Sequence, residues 1–594
     1  MKTYPIDFVS FTSYLMSMYI RKITRKKDGK THAYWALVES RRTERGPRQH
    51  VVAYLGEMDA AGRLGVRKAA EGRSDHQADL YEKLEPEWVE VNVRGVRTER
   101  VRDFGDIWLA LELLKRLGLV AFFQQVMPAG REKIPWADLA CILTIARFCE
   151  PKSELYIAEH FYGHTALADL MGIPNDLVYD NRLYRALDKL LPHKEALEKH
   201  LKQRFGELFN IEYDLLLYDV TSTYFEGEAA SNSQAKRGYS RDQRPDCKQV
   251  CIALVVTKEG IPLGYEVFAG NRHDSTTVEE IVEKMETRYG AADRIWVMDR
   301  GMVSDENIDF LKQKGRRYII GTPKSLLKKF ERELLSGDWQ KINEGLQVKK
   351  CASPDGTEET FILCRSAARK EKEQAMLERF TGRIEKELQK IQTSGQKGRL
   401  KNPAVAERRI GRLLERNSRA AGLFDIKVIK NQEDDTLSVT WSKSQDRQSW
   451  QQLTQGCYML RSNIADWSAE DLWHAYIHLT DVEAAFRIQK NDLVLRPIWH
   501  QTEKRVQAHI LVCFLAYVLW KCLSQMCKNS GLGNEPRKII DEIKRIKLTD
   551  VILPTKKGVE IRLSCVSKPD DHQRILLQHL RLKIPARLTK NHKM

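Results

Sequence analysis

The apolar residues between positions 212 and 322 follow a strand pattern that restricts this region to very few topologies. Three short apolar runs, separated by polar segments and by a turn at 258–260, predict an antiparallel meander of strands. Helical and strand patterns then alternate along the chain. In order, the segments are the strands LLLYDV, QVCIALVV and PLGYEVF, a helix at 277–289, the strand RIWVMD, a helix at 305–314 and the strand RYIIGT.

Three meandering strands followed by alternating helices and strands are the order of an RNase H-like fold. In that topology the first and fourth strands are parallel neighbours, so the residues that end them lie side by side. Here those residues are Asp219 and Asp299, which are distant in sequence. Open sheets of this kind bind ligands at such strand ends. We therefore expect two neighbouring carboxylates at one edge of a mixed sheet.

A third acidic residue, Glu483, lies in a segment with helical periodicity. Tyr476, Leu479, Glu483 and Lys490 fall at helical spacing on one stripe, and Arg487 lies one turn beyond Glu483. A helix that carries a carboxylate together with a tyrosine and cations can hold a metal ion and the phosphate oxygens beside it. We predict Asp219, Asp299 and Glu483 as catalytic metal ligands, and Tyr476, Arg487 and Lys490 as DNA phosphate contacts.

Carboxylates gathered at one place repel one another unless cations neutralise them, and hard oxygen ligands select Mg²⁺ or Mn²⁺. Two such ions per site are the usual apparatus for breaking and joining phosphodiester bonds. Each residue also has a simpler interpretation. A strand-end aspartate is often a turn former, the two cations could form surface ion pairs, and Tyr476 could be a packing residue.

The spacing of His474 and His478 is that of a zinc-protease pair. A protease motif needs glutamate directly after the first histidine, and Ala475 stands there. We therefore interpret these histidines as structural.

The charge of the chain favours a polyanionic partner. It carries a formal net charge of +17 with a pI near 9.2, and lysines and arginines that displace counterions from phosphates produce salt-dependent affinity for nucleic acid. Its 11 cysteines include no C-x-x-C pair, which favours a reduced cytosolic setting. The most apolar stretch, 510–520, is shorter than the roughly 20 residues that cross a bilayer. We expect no membrane partner and no targeting segment.

The 594 residues predict several packed units rather than one core. We expect an α+β / α/β multidomain protein with an RNase H-like core, interrupted by an insertion and preceded by a β-unit and an all-helical domain. The predicted boundaries are 1–100 for the small basic β-rich unit, 101–210 for the helical domain, 211–325 and 461–530 for the core, 326–460 for an insertion of strands and charged helices, and 531–594 for a basic C-terminal tail.

With these motifs in place, the sequence resembles an insertion-sequence DDE transposase of the group whose third motif is written Y-x2-R-x3-E-x6-K. Tyr476, Glu483 and Lys490 match that motif, whereas Leu479 stands at its arginine. The departure puts one phosphate contact in doubt, and Arg487 is a candidate replacement. Segments that resemble other parts of the family are DVTSTYFEG, GNRHDS, MDRGMVSDENIDFLKQKGRRYIIGTPK and LRPIWHQTEKRVQAHILVCFLA.

The resemblance implies a transposition reaction that uses two metal ions. Asp219 would bridge both ions, Asp299 would bind one, and Glu483 would bind the other. The implied partner is double-stranded DNA, both the terminal inverted repeats of the mobile element and the target. We expect a homodimer in the DNA complex, and a protein of the prokaryotic cytoplasm associated with the nucleoid. The alternatives are an RNase H-like nuclease or resolvase that does not join strands, and a DNA-binding protein whose catalysis has decayed.

Overall fold

A computed structural model describes residues 18–27, 30–43, 46–56, 89–290, 293–431, 436–556 and 558–588. Near the N-terminus, three antiparallel strands form a separate sheet: β1 (Met18–Lys27), β2 (Lys30–Thr43) and β3 (Gly46–Gly56). This agrees with the β-rich unit predicted from alternating polar and apolar residues. The residues Lys27-Asp28-Gly29 predict a tight turn between the first two strands, and Asp28 and Gly29 lie outside the described residues.

The region before the core is helical, as its period predicts. After strand β4 (Arg97–Asp103), the helix Trp136–Cys149 lies at its centre and is buried over nearly its whole length. Apolar residues recur around all sides of this helix, which is the pattern of a helix enclosed by others. The remaining α-helices of this region are Gly105–Arg116, Leu119–Val126, Glu154–Tyr156, Tyr162–His164, Leu167–Met171, Asp180–Leu190 and Lys194–Phe209.

The predicted meander and the alternation that follows it are both present. The strands are β5 (Leu215–Tyr224), β6 (Gln249–Thr257), β7 (Pro262–Ala269), β8 (Ile295–Met298) and β9 (Arg317–Gly321). The helix Val278–Tyr289 precedes β8, and the helix Asp305–Gln313 precedes β9. Strands β5, β6 and β7 are antiparallel neighbours, and β8 is parallel to both β5 and β9. The order β7-β6-β5-β8-β9 is that of an RNase H-like core, so the predicted fold class is confirmed.

The inserted segment extends this same sheet. Its strands are β10 (Gln340–Asn343), β11 (Leu346–Ala352), β12 (Thr360–Ser366), β13 (Phe424–Lys430), β14 (Leu437–Lys443) and β15 (Cys457–Ser462). Strand β15 pairs with β9 and with β12, which continues the sheet to nine strands. Strands β13 and β14 form a separate hairpin that packs on the 30-residue helix Ala367–Gln396. The other α-helices of the segment are Glu331–Leu335, Pro403–Arg416, Ser418–Ala421 and Gln445–Thr454.

The helix Glu503–Asn529 forms the centre of the core. Its 27 residues include a window long and apolar enough to span a membrane, but 94% of that window is buried inside the protein. It contacts both the helical region and the last part of the core. Its apolar character on all sides is therefore explained by packing within the protein.

The stretch predicted as a basic tail contains folded elements as far as residue 588. The helix Pro536–Ile543 leads to β16 (Lys547–Pro554) and β17 (Glu560–Val566), and the helix Asp571–His579 follows. Strand β16 pairs with β4, so the end of the described chain returns to its early part. The carboxylate of Asp550, fully buried, accepts hydrogen bonds from Arg102 and from Ser564 at 2.8 Å. This bonding joins the two distant segments.

Candidate active site

The register between β5 and β8 brings two of the predicted acids together. In this parallel pair Tyr218 lies opposite Met298, and the next residue in each segment is an aspartate. The prediction that Asp219 ends its strand is wrong, because β5 continues to Tyr224 through its pairing with β6, and only its pairing with β8 stops at Tyr218. Neighbouring strands lie about 4.8 Å apart, so Asp219 and Asp299 occupy adjacent positions. Asp219 is half-buried, whereas Asp299 is exposed where its strand ends.

The environment of Asp219 disfavours its negative charge. Burial is the main cause that raises its pKa from 3.8 to about 7, and the neighbouring charge of Asp299 raises the pKa further. One hydrogen bond, donated by the backbone N–H of Val220 to Oδ1 at 2.8 Å, acts in the opposite direction. A carboxyl group held in this way has too little positive charge around it, which is the deficit that a bound cation would remove.

A charged pair that we did not predict lies beside Asp219. The guanidinium of Arg241 donates a hydrogen bond to Asp274, and the charges of both residues act on the pKa of Asp219. Asp274 belongs to the segment GNRHDS after β7, which the sequence marked as similar to the family without assigning it a role. The order of residues along the chain does not show that this loop lies beside Asp219 in the folded protein.

The helical segment that carries Glu483 is divided in two. The helix Ala469–Ile477 begins at the N-cap Ser468, whose hydroxyl accepts from the N–H of Asp471 at 3.1 Å, as the capping pattern predicts. A second helix, Leu479–Arg487, follows directly. The ring of His478 bonds to Asp481 at 3.1 Å across the junction. The single helix expected from the spacing is therefore interrupted at His478, whose backbone keeps a right-handed helical conformation (φ −62°, ψ −13°).

Glu483 and Asp299 nevertheless line the same cavity, which has a volume of about 900 Å³. Tyr476 lines it with them and donates its hydroxyl hydrogen to Oδ1 of Asp299 at 3.3 Å. Gly321, the last residue of β9, makes this approach possible, since a Cβ there would lie 2.3 Å from the tyrosine oxygen. The helix Leu479–Arg487 also packs against β5, the strand of Asp219. Strand register thus places Asp219 beside Asp299, and Asp299 lines the same cavity as Glu483.

The predicted phosphate contacts differ in their availability. Arg487 is exposed and forms no ion pair within the described parts of the chain. Lys490 lies in the short π-helical turn Ile488–Asp492 and forms an ion pair with Asp242 at 2.9 Å. Only 9% of its side chain is exposed, and burial lowers its pKa. Arg496 bonds to the same carboxylate, so Asp242 already holds two cations.

The inserted segment supplies much of the cavity lining, and the lining as a whole is rich in cations. Lys324 is paired with Glu373 at 2.7 Å, and Arg447 is paired with Asp425 at 3.1 Å. Other cations on the cavity surface form no ion pair within the ranges that the structure describes; they are Arg300, Arg369, Lys372 and Arg419. A cavity with acids at its base and unpaired cations on its wall has the charge distribution expected for a site that binds phosphates beside metal ions.

Another cluster with metal-ligand spacing lies away from this site. Ligand atoms of Glu154, His500 and His509 are all within 4.8 Å of one another. Arg147 lies 3.4 Å from Nδ1 of His509, and the other ring nitrogen of that histidine faces the carbonyl of Leu495, also at 3.4 Å. Because both nitrogens have partners and one of these is a buried cation, we interpret the cluster as a hydrogen-bonded contact between the helical region and the core.

The strand order, with Asp219 where the pairing of β5 with β8 stops and Asp299 directly after β8, defines a protein of the RNase H-like class. The family model described as "Transposase DDE domain" matches residues 211–519, and a second, described as "IS1634 family transposase, N-terminal domain", matches residues 20–83. The first match spans more than half of the chain, so the protein belongs to the transposase DDE-domain family and is a DNA transposase of the insertion-sequence type. The family predicted from the motifs is confirmed.

No curated protein matches the chain by sequence. Among solved structures, the chain is similar to a piggyBac transposase synaptic complex with hairpin DNA studied by cryo-electron microscopy, at 8% identity and a TM-score of 0.34, over 77% of this chain and 82% of that chain.

Proposed function

We propose that this transposase binds the ends of its mobile element, cleaves DNA strands there and joins them to target DNA, with Asp219, Asp299 and Glu483 as the catalytic acids. The observation that supports this most is their convergence. The β5–β8 register makes the two aspartates neighbours, and Asp299 shares a cavity with Glu483. The three carboxylates come from distant segments of the chain, and sheets of this kind act on ligands at this edge.

The donors fit a pair of hard divalent cations. All three are carboxylates, which are ligands suited to Mg²⁺ or Mn²⁺. The raised pKa of Asp219, about 7, reflects burial and the charge of Asp299, and both effects would be offset by a cation between the two groups. When bound, the ions supply Lewis-acid chemistry at the scissile phosphate.

The other residues of the site position the acids and the DNA. Tyr476 fixes one oxygen of Asp299 through its hydroxyl, and its raised pKa, caused mainly by burial, keeps that hydroxyl protonated. Arg487 is exposed on the helix of Glu483 and is free to contact a DNA phosphate. Lys490 can do so only after its bond to Asp242 opens.

We also propose roles for the flanking regions. The core and its insertion form the acidic site. The N-terminal sheet and the helical region would therefore be the parts that recognise the terminal inverted repeats. Two element ends must be held together during the reaction, so a homodimer would form on DNA. A transposase of this kind would act in the prokaryotic cytoplasm, in association with the nucleoid.

Single substitutions of the acids test the assignment. Asp219→Asn, Asp299→Asn and Glu483→Gln should each abolish strand cleavage in Mg²⁺ while binding of the element end persists. Glu228→Gln is the matched control, since Glu228 lies just beyond β5 with 84% of its side chain exposed. Cleavage that survives all three substitutions would show that the acids are not catalytic.

A second assay separates transposition from simple cleavage. A pre-cleaved element end with a free 3′-hydroxyl is supplied together with a supercoiled target plasmid. Covalent insertion of the end into the plasmid is expected. If the protein cuts intact ends but yields no insertion products, strand transfer is not among its activities.

A further inference from the structure

The residue that stands at the arginine of the third motif cannot serve the cavity. Leu479 is only 9% exposed and packs among the apolar residues of the core. From that position the helix Leu479–Arg487 therefore brings no cation to the acids. Arg487, at the other end of the same helix, does not line the cavity, so a cation beside Tyr476 comes from another element.

Arg369 is such a charge, and it lies on the inserted segment. It belongs to the first turn of the helix Ala367–Gln396, whose start is fixed by the hydroxyl of Ser366 accepting from its backbone N–H at 3.3 Å. Its guanidinium lies over the ring of Tyr458, 4.2 Å from the ring centroid. Tyr458 is on β15, which pairs directly with β9 of the core. The arginine is thereby held on a rigid part of the sheet.

The guanidinium of Arg369 is close to the tyrosine that bonds Asp299. Arg369, Tyr458 and Tyr476 together line the large cavity and also a neighbouring one of about 370 Å³. The charge of Arg369 acts on both tyrosines, lowering the pKa of each against the larger opposite effect of burial. Arg369 therefore stands next to the acidic site.

The guanidinium is also free to take a ligand. Arg369 is exposed, and across the described ranges its side chain forms no ion pair and no hydrogen bond. The nearby Lys324 and Arg447 are instead neutralised by Glu373 and Asp425. Stacking on an aromatic ring leaves the planar donors of an arginine available for two parallel hydrogen bonds to a phosphate.

We propose that Arg369 binds a phosphate of the DNA end next to the scissile bond, and so supplies from the insertion the cation that Leu479 does not supply from the third motif. This inference rests on the proposed function of Asp219, Asp299 and Glu483. This role would make the insertion part of the active site, because Arg369 belongs to the insertion.

The test compares Arg369→Gln with Arg379→Gln. Arg379 lies on the same helix and is also exposed. Its guanidinium lies over an aromatic ring, that of Phe380 at 5.5 Å, but it does not line the cavity. Single-turnover cleavage of a duplex element end in Mg²⁺ should be slowed roughly 10- to 100-fold by Arg369→Gln, the range for losing a charge-assisted hydrogen bond. Arg379→Gln should cleave at the wild-type rate. The cleavage rate of Arg369→Lys should fall between those of the two glutamine variants, because lysine keeps the positive charge but lacks the two parallel N–H donors of the guanidinium.

Two further measurements identify the phosphate contact itself. The salt dependence of binding to the element end should fall by about one phosphate contact in Arg369→Gln and remain unchanged in Arg379→Gln. Uncharged methylphosphonates are then placed singly at phosphates around the cleavage point. At one DNA position the methylphosphonate should slow cleavage by the wild type and leave the cleavage rate of Arg369→Gln unchanged.

The outcomes distinguish this inference from the proposed function. If Asp219→Asn cleaves as fast as the wild type, the proposed function fails and takes this inference with it. If Asp219→Asn is inactive while Arg369→Gln matches the wild type in rate, in salt dependence and at every methylphosphonate position, only the role of Arg369 is overturned.

Discussion

Replacing Asp219 by asparagine should stabilise the protein while it abolishes strand cleavage. In the folded protein the pKa of Asp219 is raised from 3.8 to about 7, chiefly by burial and then by the charge of Asp299. Asparagine removes the charge and keeps an oxygen that can accept from the N–H of Val220, now bonded at 2.8 Å. The substitution therefore removes a cost without removing the hydrogen bond.

The size of the effect follows from the pKa. One pKa unit corresponds to about 1.4 kcal/mol, so ionised Asp219 destabilises the metal-free fold by at most about 4 kcal/mol at pH 8. Because the side chain is only half-buried, solvent screening reduces this to about 2 kcal/mol. A gain of that size raises the melting temperature of a domain of about 150–250 residues by roughly 4–8 °C.

The direction with pH is fixed by the raised pKa. Below pH 3.8 the carboxyl group is protonated in both the folded and the unfolded chain, and it costs nothing. As pH rises from 3.8 to about 7, the unfolded chain releases its proton while the folded chain retains it, so stability falls. The advantage of Asp219→Asn should therefore be close to zero near pH 4 and complete at pH 8.

The assay is thermal unfolding of the wild type and Asp219→Asn in EDTA at several pH values, repeated at pH 8 with Mg²⁺. A cation that binds only the folded state stabilises it by mass action, so Mg²⁺ should raise the melting temperature of the wild type and not that of the variant. A variant that melts with the wild type at pH 8, or differs from it equally at pH 4 and pH 8, would refute the electrostatic reasoning.

Three further substitutions test one bond at the site and the bonding and packing that stabilise the rest of the fold. Tyr476→Phe removes the hydroxyl bonded to Asp299 at 3.3 Å and should slow single-turnover cleavage about 2- to 10-fold without weakening DNA binding; an unchanged rate would show that the bond has no catalytic role. Glu359→Gln removes the negative charge beside Arg461 and leaves one oxygen for its two hydrogen bonds, at 2.6 and 2.7 Å, and urea unfolding should show a loss of about 3–5 kcal/mol. The pKa of Glu359 is lowered to about 2, with its bonds to Arg461 opposing the effect of burial, so that loss should be complete above pH 4.5 and shrink as pH falls towards 2; a loss independent of pH would contradict it. Phe514→Ala empties the position of a buried ring whose centroid lies 4.9 Å from that of Tyr265 and should cost about 3–5 kcal/mol in the same assay, whereas a cost below about 1 kcal/mol would mean that the core refills the cavity.

Much of the catalytic core could be predicted from the sequence, because the signals involved are local. Apolar runs and their turns gave the order of β5 to β9, and a right-handed parallel connection allows few arrangements of that order. Asp219 and Asp299 were recognisable because each directly follows a buried run. The cap at Ser468 was also readable, since a hydroxyl and the N–H three residues later bond within one turn.

Contacts between distant segments were not readable in this way. Period and capping do not specify which strand edge an inserted segment will use, and the structure shows β15 pairing with β9. Helical spacing placed Lys490 on the same stripe as Glu483, yet a bond to Asp242 from another segment holds it at 2.9 Å. Two other contacts could not be predicted from the sequence either. They are the pair of Arg241 and Asp274 beside Asp219, and the position of Arg369 beside Tyr476.

The sequence by itself determined the strand and helix order of the core, the acids that follow two of its buried runs and the basic character that suits a DNA partner. Only the tertiary structure decided which cations are neutralised and which remain free, and which wall of the cavity the insertion forms. The physical reason is range. Periodicity and caps depend on neighbours within a few residues, whereas the state of a charge depends on side chains that meet only after the whole chain has packed.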